Sequence, residues 1–343
     1  MSQYVLNRSG QEGLALFGLS SSGQRAALPP ACTQVVAVAT LASRSRCYTT
    51  RERDMETIPE ASVRRLEVTT RLGPVPVRLV GQGPPVVCVH GAFVDSRIYD
   101  ATATLLSQGA TVVLPDLPQG AHRRAVPDRQ LLNPDGIADA IADVLADVGL
   151  GPAVVVGNDN GGAMSQVLAA RHPDRVAGLV LAGCEILEHF PPRAFAPFVV
   201  GARWPVTLAG FARLLRVPAL LAEPGATNIL SVRGFGRSYV RDITARVLHD
   251  PGVRDDLAAL IRSLRPETLL GASSRLGYLH GHAAVVWPRH DIFFPARDGR
   301  RAAAALLDTH VVWAARARTF VPVDRPDLVA AAVQRVLLTT TPG

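Results

Sequence analysis

The chain has 343 residues, of which 48% are hydrophobic and 19% are charged. This composition is typical of a globular chain with a large core and argues against wholesale disorder. The formal net charge of +7 comes from arginine, because the 36 basic residues include no lysine. The arginines are scattered among acidic residues and no apolar segment is long enough to span a bilayer, so we expect neither a nucleic-acid nor a membrane partner.

The first 54 residues differ from the rest of the chain. They are rich in Ser, Arg, Gly and Ala, lack helical or strand periodicity, and contain the break Pro29-Pro30. A long neutral segment precedes the mildly apolar stretch 31–42, whereas a secretory signal begins with a short basic region. We expect residues 1–54 to be a disordered extension, or a non-native one if translation naturally starts at Met55.

The four cysteines form no C-x-x-C pair and show no metal-ligand spacing. Cys88 lies in an apolar run and fits the role of a small buried hydrophobe. The simplest inference from these cysteines is a reducing, cytoplasmic compartment. We expect no metal and no cofactor.

From Val63 onward, strand patterns and helical patterns alternate. Residues 63–70 and 75–80 predict two antiparallel strands joined at Leu72-Gly73-Pro74. Almost continuously apolar runs then predict strands buried on both faces of a parallel sheet: 85–89, 111–114, 153–156, 179–182, 283–287 and 310–314. Helical patterns occupy 96–108, 134–148, 162–171, 297–307 and 327–338. This order predicts an α/β fold with a mostly parallel, eight-stranded sheet flanked by helices.

About a hundred residues separate the strands at 179–182 and 283–287, which is far more than an ordinary crossover needs. Residues 185–270 mix Pro and Gly with amphipathic helical stretches. We expect this segment to form a mobile helical cap above the carboxyl edge of the sheet, where open α/β sheets bind ligands. The core domain would then comprise residues 55–184 and 271–343.

The strongest functional signal is the segment Gly157-Asn158-Asp159-Asn160-Gly161, which lies between a strand and a helix. A sharp strand-to-helix elbow needs small residues around its tip, because the backbone there is strained and closely packed. Most such elbows carry serine at the tip, and here the tip is Asp159. A carboxylate can be the nucleophile at a saturated carbon, and the alkyl ester is then hydrolysed. The alternative is that Asp159 is only a helix N-cap.

A second signal, His90-Gly91-Ala92-Phe93, follows the first parallel strand. Together with the elbow it resembles the α/β-hydrolase superfamily, and the resemblance extends from about Val63 to Leu338. It implies that this loop and Asn160, the residue after the elbow tip, supply the backbone N–H groups of an oxyanion hole. His90 itself would orient the loop rather than react.

Within the superfamily, an aspartate at the elbow resembles the branch of epoxide hydrolases and haloalkane dehalogenases. The family places its triad acid after the strand at 283–287, and Asp291 matches that position. Asp291 would orient and stabilise an imidazolium. Glu185, just past the preceding strand, is the alternative acid, because some dehalogenases carry theirs there. A solvated loop carboxylate is the alternative for both residues.

The pattern breaks at the triad histidine. The family's histidine normally follows the acid by roughly 25–30 residues, in a G-H-F-x-x-x-x-x-P-like turn. In this chain Thr319, 28 residues after Asp291, stands at that position, and threonine cannot act as a general base. Three histidines are candidates for a relocated base: His189, His282 and His290.

A proton donor is also expected from the resemblance. In epoxide hydrolases a cap tyrosine usually donates a hydrogen bond to the ring oxygen. Tyr239 is the best candidate in this sequence and Tyr278 is the second. Either side chain could instead serve only in packing.

The sequence therefore favours hydrolysis at an sp³ carbon of a small to medium apolar substrate. Epoxide opening ranks ahead of dehalogenation, because no Trp follows Asp159 as in many dehalogenases. Two alternatives stay open: a cofactor-free lyase, isomerase or cyclase that uses Asp159 as a base, and a ligand-binding pseudoenzyme that kept the pocket and lost the triad. The expected partner is the small-molecule substrate, with a homodimer as a further candidate.

Overall fold

A computed structural model describes residues 57–217, 229–307 and 309–340 of the chain. The extension predicted at residues 1–54 lies outside the described residues. Eight strands form one sheet in the order β1-β2-β4-β3-β5-β6-β7-β8. Their bounds are β1 Val63–Thr70, β2 Gly73–Val80, β3 Pro85–Val89, β4 Thr111–Pro115, β5 Ala153–Asp159, β6 Val176–Cys184, β7 Ala283–Pro288 and β8 Val311–Ala314.

The sheet is mostly parallel. Strand β2 runs antiparallel to its neighbours β1 and β4, and the pairings from β4 to β8 are all parallel. This confirms the predicted α/β fold. The first hairpin is tighter than predicted, since β2 begins at Gly73 rather than Val75. Gly73 takes a φ of +95°, which a residue without a Cβ adopts readily and which leaves only Arg71 and Leu72 between the strands.

Helices cover both faces of the sheet. Their bounds are α1 Asp100–Leu106, α2 Pro134–Asp147, α3 Asn160–Arg171, α4 Ala196–Gly201, α5 Val206–Leu215, α6 Arg237–His249, α7 Pro251–Ser263, α8 Pro266–Ser273, α9 Ala296–Ala305, α10 Val321–Asp324 and α11 Pro326–Thr340. Helix α2 starts as its sequence predicts: the side chain of Asn133 accepts a hydrogen bond from the N–H of Gly136, and Pro134 occupies the first helical position.

The core divides into two hydrophobic clusters, one on each face of the sheet. In β5, Val154 and Val156 pack into one cluster and Val155 packs into the other. All three side chains are buried, and burying an aliphatic side chain of this size stabilises a fold by about 1.5–3 kcal/mol. The central strands are therefore fixed from both sides, and the elbow at the end of β5 is attached to a rigid element.

The segment between β6 and β7, which the sequence predicts as a cap, carries helices α4 to α8. Helix α7 is joined to the loop after β4 by Asp256, which accepts a hydrogen bond of 2.7 Å from the N–H of Val126 and pairs with His122. Helix α8 packs against α3. The action of this segment as a mobile cap stays a prediction. No helix in the described ranges is both long and apolar enough to cross a bilayer.

Candidate active site

The elbow forms where the sequence predicts it, with Asp159 as the last residue of β5 and Asn160 as the first residue of α3. Asp159 has φ 53° and ψ −136°, a conformation that L-residues rarely adopt. Glycine at 157 is required by packing, because a Cβ there would lie 2.5 Å from the Cα of Gly162. A Cβ at Gly161 would overlap the carbonyl oxygen of Val89. The end of β5, the start of α3 and the end of β3 approach one another closely, which explains the glycines at 157 and 161.

The carboxylate of Asp159 faces the loop after β3. The backbone N–H of Ala92 donates a 3.1 Å hydrogen bond to its Oδ2, and the backbone N–H of Asn160 also binds the carboxylate. Gly91 gives the carboxylate room, because a Cβ at that position would overlap Oδ2. The side chain of Asp159 makes no helix-capping hydrogen bond. Asp159 occupies the N-cap position of α3, and its carboxylate faces the N–H groups of Ala92 and Asn160, which the sequence predicts as an oxyanion hole.

Burial raises the pKa of Asp159 to about 7. The two backbone N–H groups oppose this shift by favouring the charged form, whereas the negative charge of Asp291 adds to it. Asp159 nevertheless keeps some solvent exposure. The carboxyl group at the elbow therefore titrates near neutral pH, where it can act as a nucleophile or exchange a proton.

His90 holds the oxyanion loop in place. Its Nδ1–H donates to the carbonyl oxygen of Gly91 at 2.9 Å, and its Nε2 accepts a hydrogen bond from the N–H of Leu117 at 2.9 Å. Complete burial lowers the pKa of His90, so the ring is neutral. Both ring nitrogens are engaged with backbone, which fits an orienting role. The neighbouring Phe93 takes a positive φ of 62° as the loop turns away.

Thr319 and Asp291 lie side by side. The Thr319 Oγ1–H donates a 2.8 Å hydrogen bond to Oδ2 of Asp291. The other oxygen of Asp291 accepts hydrogen bonds from the N–H groups of Phe293 and Phe294 at 2.7 and 2.8 Å. Burial raises the pKa of Asp291 despite these bonds. The threonine thus takes up the carboxylate oxygen that a triad histidine would engage, while their part in catalysis stays a prediction.

Asn158 connects the elbow to the Thr319 loop, a role that the sequence does not reveal. Its side-chain Nδ2 donates to the carbonyl oxygens of Thr319 at 2.7 Å and Gly183 at 3.0 Å. Asn158 is fully buried, so these bonds are shielded from competing water. The sequence shows only that a polar residue occupies an otherwise apolar strand end, and it does not show which carbonyl groups that residue binds. The side-chain amide of Asn158 therefore holds the elbow against the Thr319 loop.

The structure gives none of the candidate histidines a hydrogen bond to the elbow carboxylate. His189 pairs through Nδ1 with Asp298 at 2.8 Å. His282 precedes β7 and bonds to Thr339, at the edge of the parallel sheet opposite the one that carries Asp159. His290 is exposed in a cleft that Trp313 and other residues line beside β8. Across the described ranges no hydrogen bond joins a histidine to Asp159. The relocated base is wrong for His282, which lies at the opposite edge of the sheet, and it stays a prediction for His189 and His290.

Tyr239 has a hydrogen-bond partner of its own outside the elbow. Its hydroxyl donates to Oδ1 of Asp95 at 3.3 Å, and the guanidinium of Arg97 stacks over its ring at 4.6 Å. Burial raises the pKa of Tyr239 well above its usual value. This arrangement fixes helix α6 to the loop after β3, so Tyr239 has a structural partner of its own. The second candidate, Tyr278, donates to the carbonyl oxygen of Ala169 at 2.9 Å.

Glu185 lies next to the elbow. It follows Cys184, the residue that faces Asp159 in the β5–β6 ladder, and it is 4% exposed. Its carboxyl contacts the side-chain amide of Asn160, and burial together with the charge of Asp159 raises its pKa well above the usual value. The site therefore gathers three carboxyl groups, from Asp159, Glu185 and Asp291, instead of a carboxylate and an imidazole.

An eight-stranded, mostly parallel sheet with a strained elbow after β5 and an oxyanion loop after β3 defines the α/β-hydrolase class. Residues 84–215 match the family model described as alpha/beta hydrolase fold. A pimeloyl-[acyl-carrier protein] methyl ester esterase from Chromobacterium violaceum is 32% identical over 245 residues, which cover 68% of this chain and 85% of that protein. The chain belongs to the α/β-hydrolase superfamily.

Other similar proteins are hydrolases of varied chemistry. A 2-hydroxy-6-oxo-6-phenylhexa-2,4-dienoate hydrolase from Burkholderia cepacia is 27% identical over 250 residues, covering 67% of this chain and 79% of that one. The epoxide hydrolase CorEH superposes with a TM-score of 0.66 at 18% identity, over 81% of this chain and 100% of that one. A haloalkane dehalogenase from Bradyrhizobium elkani gives 0.65 at 18% identity, over 81% and 99%. At such identity these two structures support the fold alone.

Proposed function

We propose that this α/β hydrolase opens an epoxide ring in a small to medium apolar substrate, with Asp159 as the nucleophile. The observation that carries the proposal is the Asp159 carboxylate at the elbow tip, with Oδ2 hydrogen-bonded to the N–H of Ala92. A carboxylate in this position suits attack on a saturated carbon, which gives an alkyl ester that water then hydrolyses. Displacement of a halide by the same attack is the related alternative.

The oxyanion donors support both halves of this reaction. In the ester, the carbonyl oxygen would lie where Oδ2 lies, beside the N–H groups of Ala92 and Asn160. When water attacks the ester carbon, the same donors would stabilise the tetrahedral oxyanion. Loss of one such donor typically costs about 10²–10³-fold in rate. The donors belong to the main chain and are already in place before substrate binds.

A second candidate function is proton transfer without a covalent intermediate, as in a cofactor-free lyase, isomerase or cyclase. Two observations favour it: the pKa of Asp159 is raised to about 7, and no histidine is hydrogen-bonded to Asp159 in the described residues. A base that titrates near the working pH combines the correct protonation state with useful driving force. In this function Asp159 would activate water or substrate directly.

Single-turnover labelling with H₂¹⁸O separates the two functions. The enzyme, in molar excess, is mixed with styrene oxide, cyclohexene oxide or 1,2-epoxyhexane. The masses of the diol and of the tryptic peptide containing Asp159 are then measured by mass spectrometry. Ester formation predicts an unlabelled diol in the first turnover and ¹⁸O in the Asp159 carboxyl group. Direct activation of water predicts a labelled diol and an unlabelled Asp159. Absence of turnover and of any Asp159 adduct across the panel would overturn the proposal.

A further inference from the structure

Glu185 is a buried acid that has no role in the triad-like arrangement of Asp159, Asp291 and Thr319. Its backbone carbonyl accepts a 2.9 Å hydrogen bond from Nε2 of Gln166, which fixes the main chain after β6. The side chain is 4% exposed. In the described part of the chain, its Oε2 has no hydrogen-bond partner. Native proteins rarely leave a buried carboxyl oxygen unpaired, so this atom invites a functional explanation.

The surroundings of Glu185 favour the neutral acid. A buried carboxylate with an unpaired oxygen is costly, and the group avoids the cost by keeping its proton. The negative charge of Asp159 works in the same direction and raises the pKa of Glu185. The side-chain amide of Asn160, the residue after Asp159, lies against the Glu185 carboxyl. The site thus pairs an ionisable nucleophile with a neighbouring proton donor.

The remaining polar groups of the site are already engaged. Thr319 donates its hydroxyl proton to Asp291, and Asp291 also accepts two backbone hydrogen bonds. The hydroxyl of Tyr239 is bonded to Asp95. Among the three carboxyl groups of the site, Glu185 is the buried one with an unpartnered oxygen.

We propose that Glu185 is the catalytic acid and base of this site and replaces both the missing histidine and the cap tyrosine. The inference rests on the proposed function, since it supplies the proton transfers that nucleophilic attack by Asp159 requires. A single carboxyl group can perform both tasks in sequence, as the acid–base residue of retaining glycosidases does.

The proton balance closes over one cycle. Asp159 attacks a ring carbon, the ring C–O bond breaks, and the oxygen takes the proton of Glu185; the products are a hydroxyalkyl ester and a Glu185 carboxylate. That carboxylate then removes a proton from water while the hydroxide adds to the ester carbon. The tetrahedral intermediate collapses, and the departing alkoxide takes the proton from Glu185. Asp159 is left as the acid, and its proton returns to Glu185, so the net reaction is epoxide plus water to diol.

Glu185→Gln tests the proposal because it keeps the side chain's size and removes its ionisable proton. Glu188→Gln is the matched control: Glu188 lies three residues further along, is exposed, and pairs with Arg301 at 2.7 Å. With styrene oxide, we expect Glu185→Gln to lose about 10²–10⁴-fold in kcat, the usual contribution of general acid–base catalysis. Glu188→Gln should match the wild type.

1-Bromohexane separates the two tasks of Glu185, because bromide leaves without a proton. Glu185→Gln should form the hexyl ester on Asp159 at the wild-type rate and then retain it, which intact-protein mass spectrometry detects as a stable adduct. In the wild type, esterification removes the charge of Asp159, the second cause of the raised pKa of Glu185 after burial. Glu185 then releases its proton to solvent and serves as the base. Equal ester breakdown in Glu185→Gln and Glu188→Gln would overturn the role of Glu185 and leave the nucleophilic function standing.

Infrared spectroscopy on the unaltered protein provides the measurement that does not depend on a variant's folding. With ¹³C-labelled glutamate, a protonated, buried Glu185 should give a carbonyl stretch at pH 7 that is separate from the ionised carboxylates. Glu185→Gln should lose this band, and Glu185→Asp should keep part of the activity. Absence of a protonated glutamate band from the wild type at pH 7 would overturn the proposal even if Glu185→Gln failed to fold.

Discussion

The hydroxyl of Thr319 and the carboxylate of Asp291 are joined by a 2.8 Å hydrogen bond. The superfamily's triad places an imidazole in this position, where the acid orients the ring that activates water. In this protein a threonine hydroxyl holds that carboxylate oxygen, and threonine cannot act as a general base.

Thr319→His should restore a base. The new ring could bond to Asp291 and reach water near an ester on Asp159, and general-base help is typically worth about 10²–10⁴-fold. The rate of ester breakdown after a single turnover of 1-bromohexane measures this gain. Thr319 is 2% exposed, so the melting temperature must be checked, and Thr319→Val is the control that removes the hydroxyl without adding a base. No gain from a folded Thr319→His would argue against the triad position of residue 319.

Asp159→Asn should abolish epoxide turnover and leave the fold intact, because the change is nearly isosteric and removes only the reacting charge. Diol formation and the melting temperature are the two measurements. Asp242→Asn is a suitable control, since Asp242 is 47% exposed in its side chain and contacts Arg97 away from the elbow. Activity should be followed over days, because deamidation would regenerate the aspartate. Full activity in freshly prepared Asp159→Asn would exclude the elbow carboxylate as the reacting group.

The rate of ester formation should rise as the pH increases through about 7, because the pKa of Asp159 is raised to about 7 and only its carboxylate attacks. The effect on stability has the opposite sign. Between about pH 4, the pKa of an unfolded aspartate, and pH 7, the folded state binds the extra proton, so ionisation of Asp159 lowers stability as the pH rises. The melting temperature of Asp159→Asn minus that of the wild type should therefore grow over this range and level off above pH 7. A constant difference would contradict the raised pKa.

Gly91→Ala should impair catalysis without unfolding the protein. A Cβ at Gly91 would overlap Oδ2 of Asp159, so the carboxylate must leave its hydrogen bond with Ala92. We expect a loss of about 10²-fold or more in kcat, similar to the loss of one oxyanion donor. Gly109→Ala is the control, since a Cβ there meets no atom within 4 Å. Equal kcat values for the two variants would show that the position of Oδ2 is not critical.

Much of the fold follows from the sequence, because strands buried on both faces give apolar runs and the intervening helices give a 3.6-residue period. The elbow was predictable from glycine spacing around Asp159. His282 could have been excluded as a relocated base from the sequence, since a residue before a parallel strand lies at the edge opposite the strand's carboxyl end. The partner of Tyr239 and the amide bridge from Asn158 were not predictable, because both depend on contacts between segments that are distant in sequence.

The unpaired side-chain oxygen of Glu185 was likewise not predictable from the sequence. Its position after β6 suggests an acid, but whether that acid is charged depends on what fills the space around it. The packing around Glu185 decides its protonation state, and no local sequence pattern shows that packing. The chemistry of the site was therefore harder to predict than its location.

The oxyanion donors of Ala92 and Asn160 are main-chain groups, so they do not depend on which side chain stands at the elbow tip. Charge stabilisation is thus inherited with the backbone, whereas the choice of nucleophile is carried by one residue and the choice of base by another. If Asp159 is the nucleophile, as we propose, the backbone that would serve a serine at the elbow also serves a carboxylate, and the pocket need not be rebuilt. The same independence makes the protein a natural starting point for laboratory evolution, in which position 159 and position 319 are varied together.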